Sequence, residues 1–206
     1  RHSLYSFVLT YINLGGMRDN IKVEINYSLR LHLFELEDKP VLSDVIHMEH
    51  LITVLSPVEL FAAKINALLS RAAARDLYDT YNMIELDLVS KDEYEMLRKS
   101  VVFYTAISQE EIPERYDVNV IDRISIRKIR TDLLPVIQKG EFIELEKIKN
   151  RVKEFLSGLM VLTADEQDFL RKFREKKYCP ELLFDDEQVI RRVSNHPMAL
   201  WKIQEH

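Results

Sequence analysis

The chain has 206 residues, 47% of them hydrophobic and 31% charged, which is the composition of an ordinary soluble globular protein. Its formal net charge of -5 argues against a protein that coats nucleic acid by bulk charge. Its only cysteine, Cys179, excludes a disulfide framework and a zinc cluster. Because no apolar run is long enough to span a bilayer, we expect a cytoplasmic protein with no membrane partner.

The first third of the chain contains the predicted strands. Residues 4–12 have a loosely helical apolar pattern, which ends at a plain turn formed by Gly15 and Gly16. Residues 21–31 (IKVEINYSLRL) alternate between apolar and polar side chains, and this period of two predicts a strand. A second short strand is predicted near residues 50–54.

The remainder of the chain reads as almost continuous helix. Its first helix begins with Ser56 as N-cap, Pro57 at the first helical position and Glu59 in the first turn. The chain has only 4 glycines and 6 prolines, which favours helices over a many-stranded sandwich. The predicted fold class is therefore α+β and mostly helical. The predicted helices cover residues 57–85, 91–107, 121–138, 142–158, 163–177, 185–194 and 196–204.

The stretch KINALLSRAAARDLYD, residues 64–79, carries an unusual set of charges for an alanine- and leucine-rich helix. On an uninterrupted helix Lys64, Arg71 and Arg75 lie within roughly 40° of one another and form a cationic stripe. Asp79 is one turn beyond Arg75 and can pair with it. Asp76 points away from the stripe unless the helix breaks near the three alanines. The pattern fits either a solvated face or a stripe that binds an anionic ligand such as phosphate.

Two segments resemble the AbiEii/AbiGii toxin family of nucleotidyltransferases, which belongs to bacterial abortive-infection and toxin–antitoxin systems. The family signature is a lysine, an Ala-Leu pair, an arginine, an Arg-Asp pair and a second aspartate three residues later. In PVELFAAKINALLSRAAARDLYD these are Lys64, Ala67-Leu68, Arg71, Arg75-Asp76 and Asp79. Residues 180–202 (PELLFDDEQVIRRVSNHPMALWK) resemble the closing segment of the family, with HPMALWK as the most distinctive part.

The resemblance implies a polymerase-β-type nucleotidyltransferase fold, in which a small mixed sheet with helices precedes a helical domain. On this reading residues 1–88 are a partial nucleotidyltransferase domain. Residues 89–206 are a helical domain whose apolar stripes are buried in a bundle.

The resemblance also implies a chemistry: a nucleotide is transferred from a nucleoside triphosphate to an acceptor, and pyrophosphate leaves. Such a reaction uses divalent metal, here Mg²⁺, together with cations on the triphosphate. Lys64 would contact the triphosphate, Asp76 would complete the polar site, and Arg71 and Arg75 would lie beside the phosphates. Glu24, on the polar side of the predicted strand, would be the third carboxylate of the metal site, beside the metal-binding pair.

One family motif does not appear. The family has a Gly-Gly-Ser/Thr turn followed by an Asp-x-Asp pair, whereas Gly15 and Gly16 precede Met17, and residues 1–30 contain no Asp-x-Asp. We therefore expect the metal-binding pair to lie outside this sequence. We expect the sequence itself to bind a nucleoside triphosphate without transferring the nucleotide.

Two classes of function remain open at this point. The first is a fragment of a nucleotidyltransferase toxin that acts on an RNA acceptor such as tRNA, or on a protein. The alternative is a non-catalytic helical module that uses the same scaffold to bind a cognate antitoxin or another protein. The basic stripe of Arg123, Arg127 and Arg130 and the stripe in residues 171–177 are read as solvated faces rather than RNA-binding surfaces.

The histidines give little indication of a metal site. His47 and His50 alone have a spacing that ligands use on a helix, and they lie in a segment predicted as strand or loop. His196 precedes Pro197 at a predicted helix start, where a capping or packing role is favoured over catalysis.

Overall fold

The computed structural model describes residues 4–27, 31–41, 50–138, 140 and 143–204. More of these residues are in helices than in strands, so the α+β, mostly helical class is confirmed. The division into domains 1–88 and 89–206 stays a prediction. The strands are β1 (Leu4–Ile12), β2 (Arg18–Asn26), β3 (Glu37–Pro40) and β4 (Leu51–Val54). The α-helices are α1 (Pro57–Arg71), α2 (Ala74–Glu85), α3 (Tyr94–Ser108), α4 (Ile126–Lys128), α5 (Leu145–Leu159), α6 (Ala164–Arg174), α7 (Glu187–Val193) and α8 (Pro197–Gln204).

The strands form two separate antiparallel pairs, β1 with β2 and β3 with β4. The helical interpretation of residues 4–12 was wrong, because this segment is the strand β1. The large apolar residues on one face of β1 pair with β-branched residues of β2 across the hairpin, for example Phe7 opposite Val23 and Leu9 opposite Ile21. The strand predicted over residues 21–31 is confirmed only for residues 21–26, which belong to β2; residues 27 and 31 are not in a strand, and residues 28–30 lie outside the described residues. The strand predicted near residues 50–54 is confirmed as β4, in a different sheet from β2.

The turn between β1 and β2 is the predicted glycine turn. The side chain of Asn13 accepts hydrogen bonds from the backbone N–H groups of Gly15 and Met17. Gly16 has a φ of 75°, in the left-handed region that glycine adopts without steric cost. A plain turn is therefore confirmed at this position.

The predicted helix over residues 57–85 is interrupted after Arg71. Ala72 lies in the left-handed region, with φ 47° and ψ 53°, and its N–H donates to the carbonyl of Leu68. This is the left-handed cap that ends many helices, although glycine is the usual residue there. The chain then enters α2 at Ala74. Both Ala72 and Ala74 are buried, so their methyl groups pack in the core and oppose the cost of the left-handed conformation.

One hydrophobic core joins α1, α2, α3, α5, α6 and the C-terminal segments. Phe61 of α1 stacks on Phe155 of α5 with ring centroids 5.8 Å apart, and Tyr94 of α3 meets Phe155 edge-on at 5.4 Å. In the part of the chain that the structure describes, no helix combines the length and the apolar character needed to cross a membrane.

A buried carboxylate fixes the start of α1 to its surroundings. Glu59 is 1% exposed and accepts hydrogen bonds from the backbone N–H groups of Leu33 and Phe34 and from the hydroxyl of Tyr104. Burial and the nearby negative charge of Glu59 both raise the pKa of Tyr104, which keeps the hydroxyl protonated as a donor. The first turn of α1 itself is as predicted, since Ser56 accepts from the N–H of Glu59 at 3.2 Å.

The predicted helix over residues 121–138 is not continuous. Residues 118–123 form a 3-10 turn, Ser125 caps α4, and a π-helical turn at 129–133 passes into a 3-10 turn at 134–136. Pro135 lacks the N–H that would extend a regular helix, which accounts for the end of the helical hydrogen bonding here.

His196 is a buried helix cap, as expected from its position before Pro197. Its Nδ1 accepts from the N–H of Met198 at 3.2 Å, its ring meets Phe103 edge-on, and the residue is 1% exposed. Burial lowers the pKa of His196; smaller opposing contributions come from the backbone of Leu31 and from Glu59. Of the predicted histidine pair, His50 is exposed and His47 lies outside the described residues.

The cap of α8 predicts an acid sensitivity of folding. The pKa of His196 is lower in the folded state than in the unfolded state. The stabilisation that neutral His196 gives to the folded state is therefore fully present above about pH 6.5 and is lost as the pH falls below that value. The free energy of unfolding should therefore decrease on acidification, with a limiting slope of about 1.4 kcal/mol per pH unit for one proton. Urea denaturation at a series of pH values from 7.5 to 5 measures this decrease in the free energy of unfolding.

The matched variants are His196→Asn, which keeps a capping side chain, and His50→Asn, which removes an exposed histidine. His196→Asn should reduce the pH slope, and His50→Asn should leave it unchanged. An unchanged slope in His196→Asn would show that another group controls acid unfolding.

Candidate active site at the break between two helices

The first charged pair of the candidate site joins α1 to α2. Lys64 Nζ lies 2.7 Å from Asp79 Oδ2, and the two side chains are 37% and 38% exposed. The expected pair of Arg75 with Asp79 was therefore wrong. The helix break lets α2 pack against α1, so Asp79 meets a residue fifteen positions earlier rather than its neighbour one turn before.

The second pair lies directly at the break. Arg71 Nε donates to Asp76 Oδ2 at 2.6 Å, and Arg71 Nη2 donates to Asp76 Oδ1 at 2.8 Å. The side chain of Asp76 is only 3% exposed, whereas that of Arg71 is 64% exposed. The hydrogen bonds to Asp76 raise the pKa of Arg71. The bidentate geometry fixes the plane of the guanidinium group and leaves its Nη1 side directed away from the aspartate.

Arg75 takes part in neither pair. Its Nε donates to the backbone carbonyl of Asp132 at 2.7 Å, close to the end of the π-helical turn. That carbonyl is among the last ones of a helical segment, which a cationic side chain commonly caps. An open groove of about 420 Å³ lies between the break and this turn. Its lining residues are Arg71, Ala73, Ala74, Arg75, Thr131 and Asp132.

Glu24 lies on the exposed β1–β2 hairpin and takes part in neither of the two charged pairs. Its Oε1 is 2.7 Å from Nζ of Lys22, and among the described residues no hydrogen bond or ion pair joins it to Lys64. The structure thus brings together four of the charges in the signature and connects Glu24 to none of them.

The carboxylates of this region do not by themselves fit a metal ion. Within residues 4–27, 31–41, 50–138, 140 and 143–204, no group of three or more His, Cys, Asp or Glu side chains is placed to hold one. Both oxygens of Asp76 accept from Arg71, Asp79 pairs with Lys64, and Glu24 pairs with Lys22. A magnesium ion needs several oxygen ligands at about 2.1 Å.

The two basic stripes differ in their pairing. On α6 and beyond it, Arg171 pairs with Asp168 and Glu175, and Lys177 pairs with Glu175, so this stripe is a neutralised, solvated face. Arg123 and Arg127 are exposed and have no side-chain hydrogen bond or ion pair within the described residues.

Sequence reasoning missed the partner of Asp79 and the opposite wall of the groove. Thr131 and Asp132 are more than fifty residues from Arg75, and no local spacing links them to it. The signal for the break was equally weak, since alanine is the strongest helix former. The only indication in the sequence was that Asp76 can lie near the cationic stripe if the helix breaks at the three alanines.

The fold and the charged break define a mostly helical α+β protein with a preformed polar site, and comparison with known families gives its class. The family described as "Nucleotidyl transferase AbiEii toxin, Type IV TA system" matches residues 2–176. The chain belongs to this family. The matched range includes the whole signature from Lys64 to Asp79 and ends before residues 180–202, so the resemblance of the closing segment stays a separate observation.

A further similarity concerns UvrABC system protein B of Treponema denticola. That protein is 30% identical over 151 residues, which cover 65% of this chain and 20% of the relative. The chain thus spans about one fifth of the curated relative that it matches. No solved structure gave a significant match.

The two charged pairs should differ in energy. Asp76 is buried, so breaking its pair leaves a desolvated charge, whereas both side chains of the pair of Lys64 and Asp79 are more than a third exposed. A double-mutant cycle with Arg71→Gln and Asp76→Asn should give a coupling energy of roughly 1–3 kcal/mol in the free energy of unfolding. The same cycle with Lys64→Gln and Asp79→Asn is the control and should give less than about 1 kcal/mol. Equal couplings would show that burial of Asp76 does not determine the strength of its pair.

Proposed function

We propose that the protein is a nucleotidyltransferase toxin that transfers a nucleotide from a nucleoside triphosphate to an acceptor. Family membership supports the reaction class. The observation that carries the assignment to this site is the pair of ionic contacts across the helix break, Lys64 with Asp79 and Arg71 with Asp76. They contain all but one of the charged signature residues, and that one, Arg75, lines the adjoining groove.

Lys64 is the residue that contacts the triphosphate. In the absence of ligand its ammonium group is held by Asp79, and both side chains are more than a third exposed. Exchange of this solvated carboxylate for a phosphate oxygen costs little, because exposed pairs of this kind contribute at most about 1 kcal/mol. A triphosphate, with several negative charges, offers Lys64 a stronger partner than one carboxylate does.

Arg71 and Arg75 bind phosphate oxygens from the groove side. Asp76 acts as a positioning residue, because its two hydrogen bonds fix the guanidinium group of Arg71 while one edge remains open to the groove. Arg75 is fixed through Nε by the carbonyl of Asp132, which leaves its terminal nitrogens for a ligand. Prepositioned cations stabilise charge that develops on the phosphates without reorganisation during the reaction.

In the transfer itself an acceptor hydroxyl oxygen forms a bond to the α-phosphorus, and the bond from this phosphorus to the bridging oxygen breaks. Pyrophosphate leaves with the electron pair, and the proton of the hydroxyl passes to solvent. We propose Mg²⁺ as the cofactor of the intact protein, where it would neutralise phosphate charge. Glu24 as a metal contact stays a prediction.

We also propose that residues 1–88 form part of a polymerase-β-type nucleotidyltransferase domain, that residues 89–206 form its helical domain, and that the protein acts in the cytoplasm. The acceptor is RNA, such as tRNA, or protein. A cognate antitoxin is the expected partner of a toxin in a type IV system.

The alternative function, a non-catalytic module that binds an antitoxin or another protein, is favoured by one feature of the structure. The β1–β2 hairpin exposes Tyr5, Phe7, Leu9, Ile21 and Ile25, each at least 37% accessible. Cross-strand pairing places these side chains on the same face. An exposed apolar surface of this kind often marks a protein–protein contact.

The substitution Lys64→Ala tests the enzymatic proposal. Loss of one prepositioned cation should reduce nucleotide transfer by the intact protein about 100-fold or more and abolish toxicity on expression. The melting temperature should be nearly unchanged, because the pair with Asp79 is solvated. Transfer is measured with labelled nucleoside triphosphate and magnesium, with total tRNA and total protein as separate acceptors.

Lys147→Ala on α5 is the control, since Lys147 is a more exposed lysine that likewise has a nearby carboxylate, Glu144 at 3.9 Å. It should retain transfer and toxicity. Full activity in Lys64→Ala would remove this lysine from the site. Loss of folding in Lys64→Ala would make its role structural.

A further inference from the structure

The segment from Arg123 to Arg130, here named the basic segment, has a local charge opposite to that of the whole protein. It contains four cations, Arg123, Arg127, Lys128 and Arg130, and no acidic residue, in a chain whose formal net charge is -5. All four side chains are exposed. Arg127 and Arg130 lie three positions apart in consecutive helical turns, and a pair of like charges at this spacing destabilises a helix by a few tenths of a kcal/mol.

The protein does not neutralise the basic segment. In the residues that the structure describes, none of these four side chains forms an ion pair or donates a hydrogen bond. The stripe on α6 gives the contrast, because its cations are interleaved with Asp168 and Glu175. A solvated face is thus the right interpretation of α6, whereas the basic segment retains free charge.

The basic segment borders the candidate active site. It passes directly into Thr131 and Asp132, which line the groove opposite Arg71 and Arg75. The hydroxyl of Thr131 donates to the carbonyl of Arg127, and the carbonyl of Asp132 accepts from Arg75. The π-helical turn and the break after Arg71 therefore lie on opposite sides of the groove. The unpaired cations of the basic segment directly precede Thr131 and Asp132, which form the side of the groove that belongs to the π-helical turn.

We infer that the basic segment binds the sugar-phosphate backbone of a nucleic acid acceptor and guides its reactive end into the groove; this inference rests on the proposed function. Three of the four cations are arginines, whose planar donor groups match phosphate oxygens. Successive phosphates give a row of negative charges that a row of unpaired cations can follow, with release of condensed counterions as the driving force. The alternative ligand of the basic segment is an acidic protein surface, and the experiment below distinguishes it from a nucleic acid.

The test measures binding of the intact protein to a fluorescent RNA hairpin and to a DNA hairpin of the same sequence, by anisotropy over a series of salt concentrations without nucleotide. The variant is Arg127→Gln, Lys128→Gln and Arg130→Gln together, none of which is assigned to the triphosphate site. Loss of three phosphate contacts should lower the slope of log K against log salt by about 2–3. Affinity at low salt should fall at least about 10-fold.

The matched control carries Lys91→Gln, Arg115→Gln and Arg191→Gln, which remove three exposed, unpaired cations elsewhere on the described surface. It should bind like the unmodified protein. Circular dichroism melting shows whether each variant is folded. RNA bound more tightly than DNA would identify RNA as the acceptor, and equal binding would identify the backbone alone as the recognised feature.

Three results would overturn the inference. The first is equal nucleic acid affinity in the basic-segment variant and the unmodified protein, and the second is an equal loss in the control variant. Nucleotide transfer to a protein acceptor, without measurable nucleic acid binding, would also overturn it and assign the segment to a protein partner. By contrast, binding that depends on the basic segment without any nucleotide transfer would support the inference while contradicting the proposed function.

Discussion

The left-handed conformation of Ala72 is the constraint on which the arrangement of the site depends. It ends α1, turns the chain, and lets α2 pack against α1. Only because of this turn do Arg71 and Asp76 meet in a bidentate pair and Lys64 and Asp79 in a second pair. An alanine in this conformation is disfavoured by about 1 kcal/mol relative to its helical state, and burial of its methyl group opposes that cost. Strain of this kind recurs at functional sites.

The helix that carries Lys64 is fixed at its other end by Glu59. A buried carboxylate with three donors is rigid, because each hydrogen bond opposes rotation and an unsatisfied buried charge would be costly. Stacking of Phe61 on Phe155 holds the same helix against α5. The position of Lys64 therefore depends on contacts made by residues outside the signature. The signature residues reach their positions only because this core fixes the helix that carries them.

Charge is distributed in two distinct ways around the groove. At the break, Lys64, Arg71, Asp76 and Asp79 form two mutually neutralised pairs, which orient the cations. Along the basic segment the cations are unpaired and exposed. Paired charges have a fixed geometry, whereas unpaired charges attract an opposite charge over a longer distance. The two arrangements therefore fit the two proposed tasks, which are to bind a triphosphate at one point and to bind the backbone of a nucleic acid.

The sequence by itself determined the family, the excess of helix, the start of α1 at Ser56 and Pro57, and most later helices, because these depend on local spacing, caps and composition. It could not determine the fold of residues 4–12, where a loosely helical apolar pattern and a strand alternation coexist. Nor could it place the break, since three consecutive alanines favour helix and Ala72 is left-handed only through packing. The tertiary structure alone decided which aspartate meets which cation, and that Arg75 reaches Asp132, because these contacts join residues that only the folding of α2 between α1 and the π-helical turn brings together.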